Sequence, residues 1–549
     1  MTPRIHHLSS LDASFLHIES AEMPMHVGSV HLLEAPAGRD GEFFEAVKAH
    51  VASRLHLAPV FTRKLALMPF ELSNPVWVDD EFIDLDHHLR RVVLPRPGSW
   101  EQLERVVARL HSSLLDRSRP LWEFTVIEGL QSGEVVLYAK AHHAGIDGQA
   151  GQAVGRALFD PAPHGRVVRS PRRRPRSNRY QLGMAELVAA ALGNTVRQSA
   201  GLVRSVPDIA RGLKSLVVPQ PGPDGRRRWF ARNLQVFGPK TPFNAAITNQ
   251  RNWAARSVSL AEARAIAFAV GGTVNDVVLA TCSGAMRRYL AEYDALPARP
   301  MSAAVPVSLR AEGDTRADNQ VSMMLMTLAS NVDDPLERLL AIVAASKKTK
   351  RAMGAASAAL PLDFPLLGAP WLMSGLASLY GRTRLVNVMP PLANVVVSNV
   401  AGPPAEVYFA GARMRSFYPV SIPAHGMALN ITVHSYDGDL DYGLTACRRA
   451  VPDLGDLGYF IVAEHQVLAQ CVQRLRAPGG SDDLQGAGAP SPPLVGTEQG
   501  GEAAPARDEA RPASPPDAPP AATRSARPRS RGAAAARGDV PAECAGAGV

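Results

Sequence analysis

The chain has 549 residues, 46% of them hydrophobic, which is too long for one ordinary domain and apolar enough for sizeable cores. Four scattered cysteines (Cys282, Cys447, Cys471, Cys544) show no C-x-x-C spacing, which argues against a disulfide framework or a structural zinc site and suits a reducing cytosol. A formal charge of +8 permits attraction to anionic lipid, nucleic acid or phosphorylated cofactors without choosing among them, and neither a signal core in residues 1–20 nor a membrane-length apolar run is present.

Residues 1–160 alternate strand-like and helix-like segments. Leu8 to Phe15 predicts a short helix capped by a serine or aspartate, His26 to Leu33 a strand, Phe43 to Leu55 a helix, and Val76 to Val78 a short strand. His87 and His88 form a histidine pair among charged residues, read as surface or substrate-channel structure. Trp100 to Leu115 predicts a helix, and Arg119-Pro120-Leu121-Trp122-Glu123 ends the approach to the next strand.

Glu134 to Ala139 reads as a buried strand, and it runs into Lys140-Ala141-His142-His143-Ala144-Gly145-Ile146-Asp147-Gly148, followed by a short helix to Leu158. Neighbouring strand residues point to opposite sides, so one imidazole can face a cavity while the other packs. Imidazole titrates near neutrality, with an unperturbed pKa of about 6.5, and an alcohol attacking an activated acyl group needs such a base. The alternative is a pair of core or metal-bound histidines.

Residues 161–234 are expected to form a basic, partly helical linker. Arg166, Arg169, Arg172, Arg173, Arg174, Arg176 and Arg179 sit among Pro and Ser, and the apolar positions from Tyr180 to Leu216 are interrupted by Arg197, Arg204, Arg211 and Lys214. Such a stretch fits a helix on an anionic bilayer, or a packed helix pair beside a solvated linker. No recognition motif supports nucleic-acid binding.

Residues 235–476 form a second body. Leu260 to Val270 and Thr273 to Tyr289 predict helices, Ala303 to Arg310 and Met323 to Leu328 strands, and Pro335 to Ala356 an amphipathic helix. Leu360 to Tyr380 is apolar but broken by prolines, and reads as bent helices at a greasy cavity or membrane. Asn394 to Pro403 predicts a strand and turn, and Asn430 to Leu440 a hairpin with an Asp-Gly turn. Residues 477–549 are Ala, Gly, Pro, Ser and charge, expected to be a disordered tail with no assigned chemistry.

The His-His-x-x-x-Asp-Gly string resembles the motif of the CoA-dependent acyltransferase superfamily. Together with Leu8 to Phe15, Pro120-Leu121-Trp122, Asn275-Asp276-Val277-Val278-Leu279-Ala280, Pro306-Val307-Ser308-Leu309-Arg310 and Ser398-Asn399-Val400 before Gly402-Pro403, it resembles the bacterial wax ester synthase/acyl-CoA:diacylglycerol acyltransferase family over residues 5–475. Asp318 stands where that pattern has glycine before Asn319. The resemblance implies a mixed α/β (α+β) fold of two chloramphenicol-acetyltransferase-like sandwich lobes, residues 1–160 and 235–476, with a tunnel at their interface.

The resemblance also implies that a fatty acyl group moves from acyl-CoA to diacylglycerol or a long-chain alcohol, with acyl-CoA a co-substrate and neither metal nor cofactor needed. It assigns the general base to His143. His142 would orient its neighbour. Asn275 is the candidate oxyanion donor, with a helix N-cap as its alternative role. Asp147 would order its loop, with Arg310 as a candidate partner. Trp122, Asp276, Arg310, Ser398 and Asn399 are the substrate-binding candidates. No Gly-x-Ser-x-Gly elbow suggests an acyl-serine intermediate. The expected setting is cytoplasmic, peripheral to the inner membrane or lipid inclusions, without nucleic acid and with a homodimer left open. The competing readings are a non-catalytic lipid-surface protein and a condensation-type enzyme using carrier-protein thioesters.

Overall fold

The computed structural model describes residues 5–34, 42–66, 74–80, 82–146, 148–169, 237–308, 321–356 and 390–476. Expectations on Asp147, Arg310, residues 170–236, residues 360–380 and the tail lie outside these. All described residues belong to one compact unit, Met1–Asp483.

The first stretch runs β1 (Ile5–His7), α1 (Ser10–Ile18), β2 (His26–Glu34), α2 (Phe43–Arg54), β3 (Arg63–Ala66), β4 (Val76–Asp79), α3 (Leu85–His88), β5 (Leu89–Val93), α4 (Trp100–Ser112), β6 (Trp122–Glu128), β7 (Val135–His142) and α5 (Gly148–Leu158). The second runs β8 (Arg251–Ser259), α6 (Leu260–Ala269), α7 (Val274–Glu292), β9 (Ser302–Ser308), β10 (Val321–Thr327), α8 (Pro335–Ala356), β11 (Val395–Ala401), β12 (Tyr408–Phe409), β13 (Ala412–Val420), β14 (Leu429–Tyr436), β15 (Asp439–Cys447) and α9 (Leu454–Arg476).

Local chemistry accounts for the boundaries. Ser9 caps α1 by accepting from the Asp12 N–H at 3.0 Å. Ser99 and Gln102 close a capping box on α4. Asp437 and Gly438 both have positive φ, 45° and 88°, as the tight β14–β15 turn requires, so the Asp-Gly hairpin forms where the sequence places it.

Among the described residues two six-stranded sheets organise the chain, ordered β12-β13-β2-β7-β6-β5 and β10-β9-β11-β14-β15-β8, beside a small β1-β4-β3 sheet. The first sheet is not built from the first half alone. Residues 408–420 reach across, and β13 pairs antiparallel with β2 from Arg413↔Glu34 to Val420↔Gly28. A cut near residue 235 therefore separates strands of one sheet.

Alternation along β7 sends Leu137 and Ala141 into one core with Trp122, Phe124 and α2, and Val136 and Tyr138 into another with α4. That second core also takes Trp253 and Ala255 from β8 and Tyr418 from β13, so it joins the two large sheets. The other face of the second sheet buries Val305, Val397, Ile431 and Leu444 under helices α6 to α9. Where the sheets meet, Gly443 of β15 is obligatory, because a Cβ there would lie 1.8 Å from the Pro419 carbonyl oxygen.

Among the described residues no single helix is long and apolar enough to span a membrane; the apolar α6–α7 pair is bent by 100°, and Val277 to Met286 are buried. The expectation for the second histidine pair is corrected. His88 is 1% exposed, and its ring stacks on Trp122 at 4.2 Å while Nδ1 donates to the Trp122 carbonyl at 2.7 Å. Charged neighbours in sequence concealed a ring that points inward.

Candidate active site

The histidine pair sits where β7 stops. The strand runs further than the apolar residues alone suggest and includes His142, opposite His26 of β2. The His142 N–H donates to the Leu121 carbonyl at 3.0 Å, and the chain then turns through residues 143–145, the Gly145 N–H donating back to the His142 carbonyl at 2.9 Å.

His142 is buried, and its tautomer follows from its partners. Nδ1 accepts from the Ala144 N–H at 3.0 Å, so the proton is on Nε2, which donates to Glu19 Oε2 at 3.1 Å. Glu19 follows α1 and is 4% exposed. It also accepts from the Met25 N–H at 3.0 Å and pairs with Arg117 at 2.7 Å. Burial alone would raise its pKa, but the hydrogen bond from His142, the Met25 N–H and Arg117 together hold it at about 2. The carboxylate thus ties α1, the entry to β2, the end of β7 and the loop before β6 to one point.

His143 is held differently. Its N–H donates to the Met25 carbonyl at 2.9 Å, and its ring stacks on Phe15 of α1 at 4.1 Å and 18° between planes. Such stacking fixes ring orientation and contributes about 1 kcal/mol. The side chain remains partly exposed, whereas His142 is 1% exposed. The Nδ1 atom of His143 is itself buried, so the exposure of this residue lies elsewhere on it.

Beneath His142 lies a floor of buried polar groups on the α4 side of the sheet. His26 Nε2 donates to the His111 carbonyl at 2.6 Å, and His111 Nε2 donates to the Ser421 carbonyl at 2.9 Å. His111 Nδ1 is therefore a lone pair that accepts from the Tyr138 hydroxyl at 2.8 Å. Burial pushes His111 down to about 3 and His26 well below its usual range, with nearby cations adding to both, so the two rings are neutral. Lys140, lowered by burial, is kept satisfied by Glu123 at 3.0 Å and by the Leu110 and Ser113 carbonyls. The floor carries the motif without placing a free charge under it.

Comparison with known proteins is decisive for the family. The wax ester synthase/diacylglycerol acyltransferase catalytic domain matches residues 8–278, and the WS/DGAT C-terminal domain matches residues 317–466. The chain belongs to the wax ester synthase/diacylglycerol acyltransferase family. It is 37% identical over 469 residues to a probable diacylglycerol O-acyltransferase of Mycobacterium tuberculosis, covering 84% of this chain and 98% of that one. It is 32% identical over 462 residues to the O-acyltransferase WSD of Acinetobacter baylyi, covering 82% and 94%. The solved wax ester synthase/diacylglycerol acyltransferase of Marinobacter aquaeolei VT8 superposes with a TM-score of 0.61 at 29% identity, over 85% of this chain and 99% of that one. The mixed α/β fold and the acyltransferase class expected from the sequence hold.

The remaining landmarks of the wax ester synthase/diacylglycerol acyltransferase pattern fall in three places. Asn275 is the second residue of α7 and half-buried; the cap is Thr273, so Asn275 does not fill the N-cap role that was its alternative. Asp276 is 2% exposed and closes the capping box, with Oδ2 accepting from the Thr273 N–H and hydroxyl, both at 2.8 Å. That bond set, rather than a substrate contact, occupies one of its oxygens. Ser398 and Asn399 stand on opposite faces of β11, paired in register with Thr432 and Val433.

Trp122 is 1% exposed, with its indole N–H donating to the Phe61 carbonyl at 3.2 Å and its ring against His88, so it builds the core under the motif and presents no substrate surface. Asp147 and Arg310 lie outside the described residues. Glu19 and Arg117 were not singled out by sequence, and Phe15 only as the end of the Leu8 to Phe15 stretch. Glu19 meets His142 across 123 positions, and no spacing rule signals such a pair.

Proposed function

We propose that this chain transfers a fatty acyl group from acyl-CoA to diacylglycerol or a long-chain alcohol, with His143 as general base and no covalent acyl-enzyme. The observation that carries the assignment is the division of labour in the pair. His142 has both ring nitrogens engaged in buried bonds, while His143 is partly exposed and oriented by Phe15 and the Met25 carbonyl. In the proposed step the acceptor O–H gives its proton to His143 as its oxygen bonds to the thioester carbonyl carbon. The C–S bond then breaks, and the imidazolium returns the proton to the CoA thiolate. Asn275 is the candidate donor to the oxyanion, a role worth about 3 kcal/mol of barrier. Neither metal nor cofactor enters these steps.

Diacylglycerol is placed first as acceptor, because mycobacterial relatives at 37–38% identity carry that name, with fatty alcohol as the second acceptor in view of the Marinobacter protein's name. Because both acceptors are membrane-borne, we place the enzyme in the cytoplasm at an anionic inner membrane or lipid inclusion, and the arginines of residues 166–179 support that placement.

The test incubates purified protein with palmitoyl-CoA and either dioleoylglycerol or hexadecanol, reading thiol release and ester product. Release that depends on acceptor and is lost in His143→Ala supports the proposal. Equal release from that variant, or none from the native chain, favours a lipid-coat protein instead. Activity with an acyl carrier protein but not acyl-CoA favours the condensation-type reading.

A further inference from the structure

At the far end of α5 from the histidine pair, about 12 Å along the helix, lies a shallow, open depression of roughly 530 Å³. Leu57, Ala153 and Ala157 give it an apolar side, and Arg156, Arg166 and Arg169 bring three guanidinium groups to its rim. The depression is built on an ordered loop. Asp160, 2% exposed, pairs with Arg54 at 2.6 Å, accepts from the Arg166 N–H at 3.3 Å, and exchanges backbone hydrogen bonds with Tyr408 of β12.

The three arginines are not equivalent. Arg166 is committed, donating to the Arg156 and Ala157 carbonyls at the C-terminus of α5. Arg156 and Arg169 are exposed and have no ion-pair partner among the described residues. Between them Val167 stands 98% exposed, an apolar side chain in water beside cations. Two uncommitted guanidinium groups beside an open depression with one apolar side are complementary to an amphiphile that ends in phosphate, since a planar guanidinium binds a phosphate through paired hydrogen bonds.

We propose that this depression is a phosphate-binding site for an amphiphilic ligand, separate from the reacting imidazole. Two sources present that chemistry: the headgroup of an anionic phospholipid and the phosphates of the CoA nucleotide. The second source rests on the acyl-CoA reading above; the first does not.

The experiment measures binding without turnover, by titration calorimetry of the full chain with dihexanoyl phosphatidylglycerol and, separately, with adenosine 3′,5′-bisphosphate. Arg166 is left in place because it closes α5. The variants are the double Arg156→Gln/Arg169→Gln, which removes the free charges, and Ala153→Trp, which fills the depression at constant charge; thermal melts confirm folding. The expected result is that one probe binds the native chain, weakens with added salt, and loses about tenfold or more in affinity in both variants. Loss for the lipid probe assigns the headgroup; loss for the bisphosphate assigns the nucleotide. Two results overturn the proposal. One is that neither probe loses affinity in the double variant, and the other is that the charge variant weakens binding while Ala153→Trp leaves it unchanged, which makes the arginines a general surface charge and not a site. Thiol release from palmitoyl-CoA at saturating substrate, followed in parallel, reports on the catalytic proposal independently.

Discussion

Glu19→Gln probes the carboxylate that fastens the turn at His142 and His143. Glutamine keeps one oxygen to accept from the His142 and Met25 N–H groups but turns its NH2 toward Arg117, so the variant loses the charge together with the Arg117 bonds. The Glu19 carboxyl lies at about 2 in the folded chain against 4.5 for a free glutamate side chain. A depressed carboxylate stabilises the fold above its unfolded pKa and loses that contribution as pH falls toward the folded value. The shift corresponds to about 3 kcal/mol at pH 7, about 2 kcal/mol near pH 3.5 and roughly half the neutral value near pH 3. Urea denaturation of both proteins at several pH values reads the difference directly. The native chain should exceed the variant by about 3 kcal/mol at neutral pH, with the gap closing as the solution is acidified. A gap that stays constant from pH 7 to pH 3.5 would refute the argument that ionised Glu19 holds the turn. Since the same carboxylate anchors α1 and the Met25 segment, which orient His143, the variant should also lose kcat with little change in the KM for acyl-CoA.

Other substitutions probe separate parts of the site. Phe15→Leu keeps apolar volume but removes the ring stacked on His143, and should lower kcat about fivefold while leaving the melting temperature nearly unchanged. Asn275→Ala should cost a hundredfold or so in kcat if its amide meets the oxyanion, without destabilising α7, because Thr273 is the cap. Thr273→Ala should lower stability by about 1 kcal/mol in a denaturant titration by opening the capping box with Asp276. Gly443→Ala drives a methyl group against the Pro419 carbonyl and should destabilise the fold by about 2–3 kcal/mol; a neutral result would mean that the contact between β13 and β15 yields readily.

Much of the architecture was legible because local chemistry and tertiary packing agree. The Asp437-Gly438 hairpin, the amphipathic helix from Pro335 to Ala356 and the strand that delivers the histidine pair all declare themselves through turn residues or period. What stayed hidden was non-local. Strands β12 and β13 contain Arg413, Arg415 and Pro419 and carry no clear strand pattern of their own; they become strands because β2 offers a partner nearly four hundred residues away. His88 lies among charged residues yet stacks on Trp122, since its neighbours face the other way. At the site, the motif named the two histidines, but the buried bond that holds His142 comes from Glu19, and a long-range carboxylate leaves no periodic trace.

The reach of β13 across to β2 sets a schedule for synthesis. A ribosome must deliver the chain as far as Val420 before β2 can acquire its second neighbour, and until then one flank of the histidine-bearing sheet presents bare amide and carbonyl groups. A nascent chain in that state is vulnerable to pairing with the wrong strand or with another copy of itself. Truncation before residue 408 should therefore give an aggregating product rather than a smaller enzyme, even though both motif histidines are already present in it.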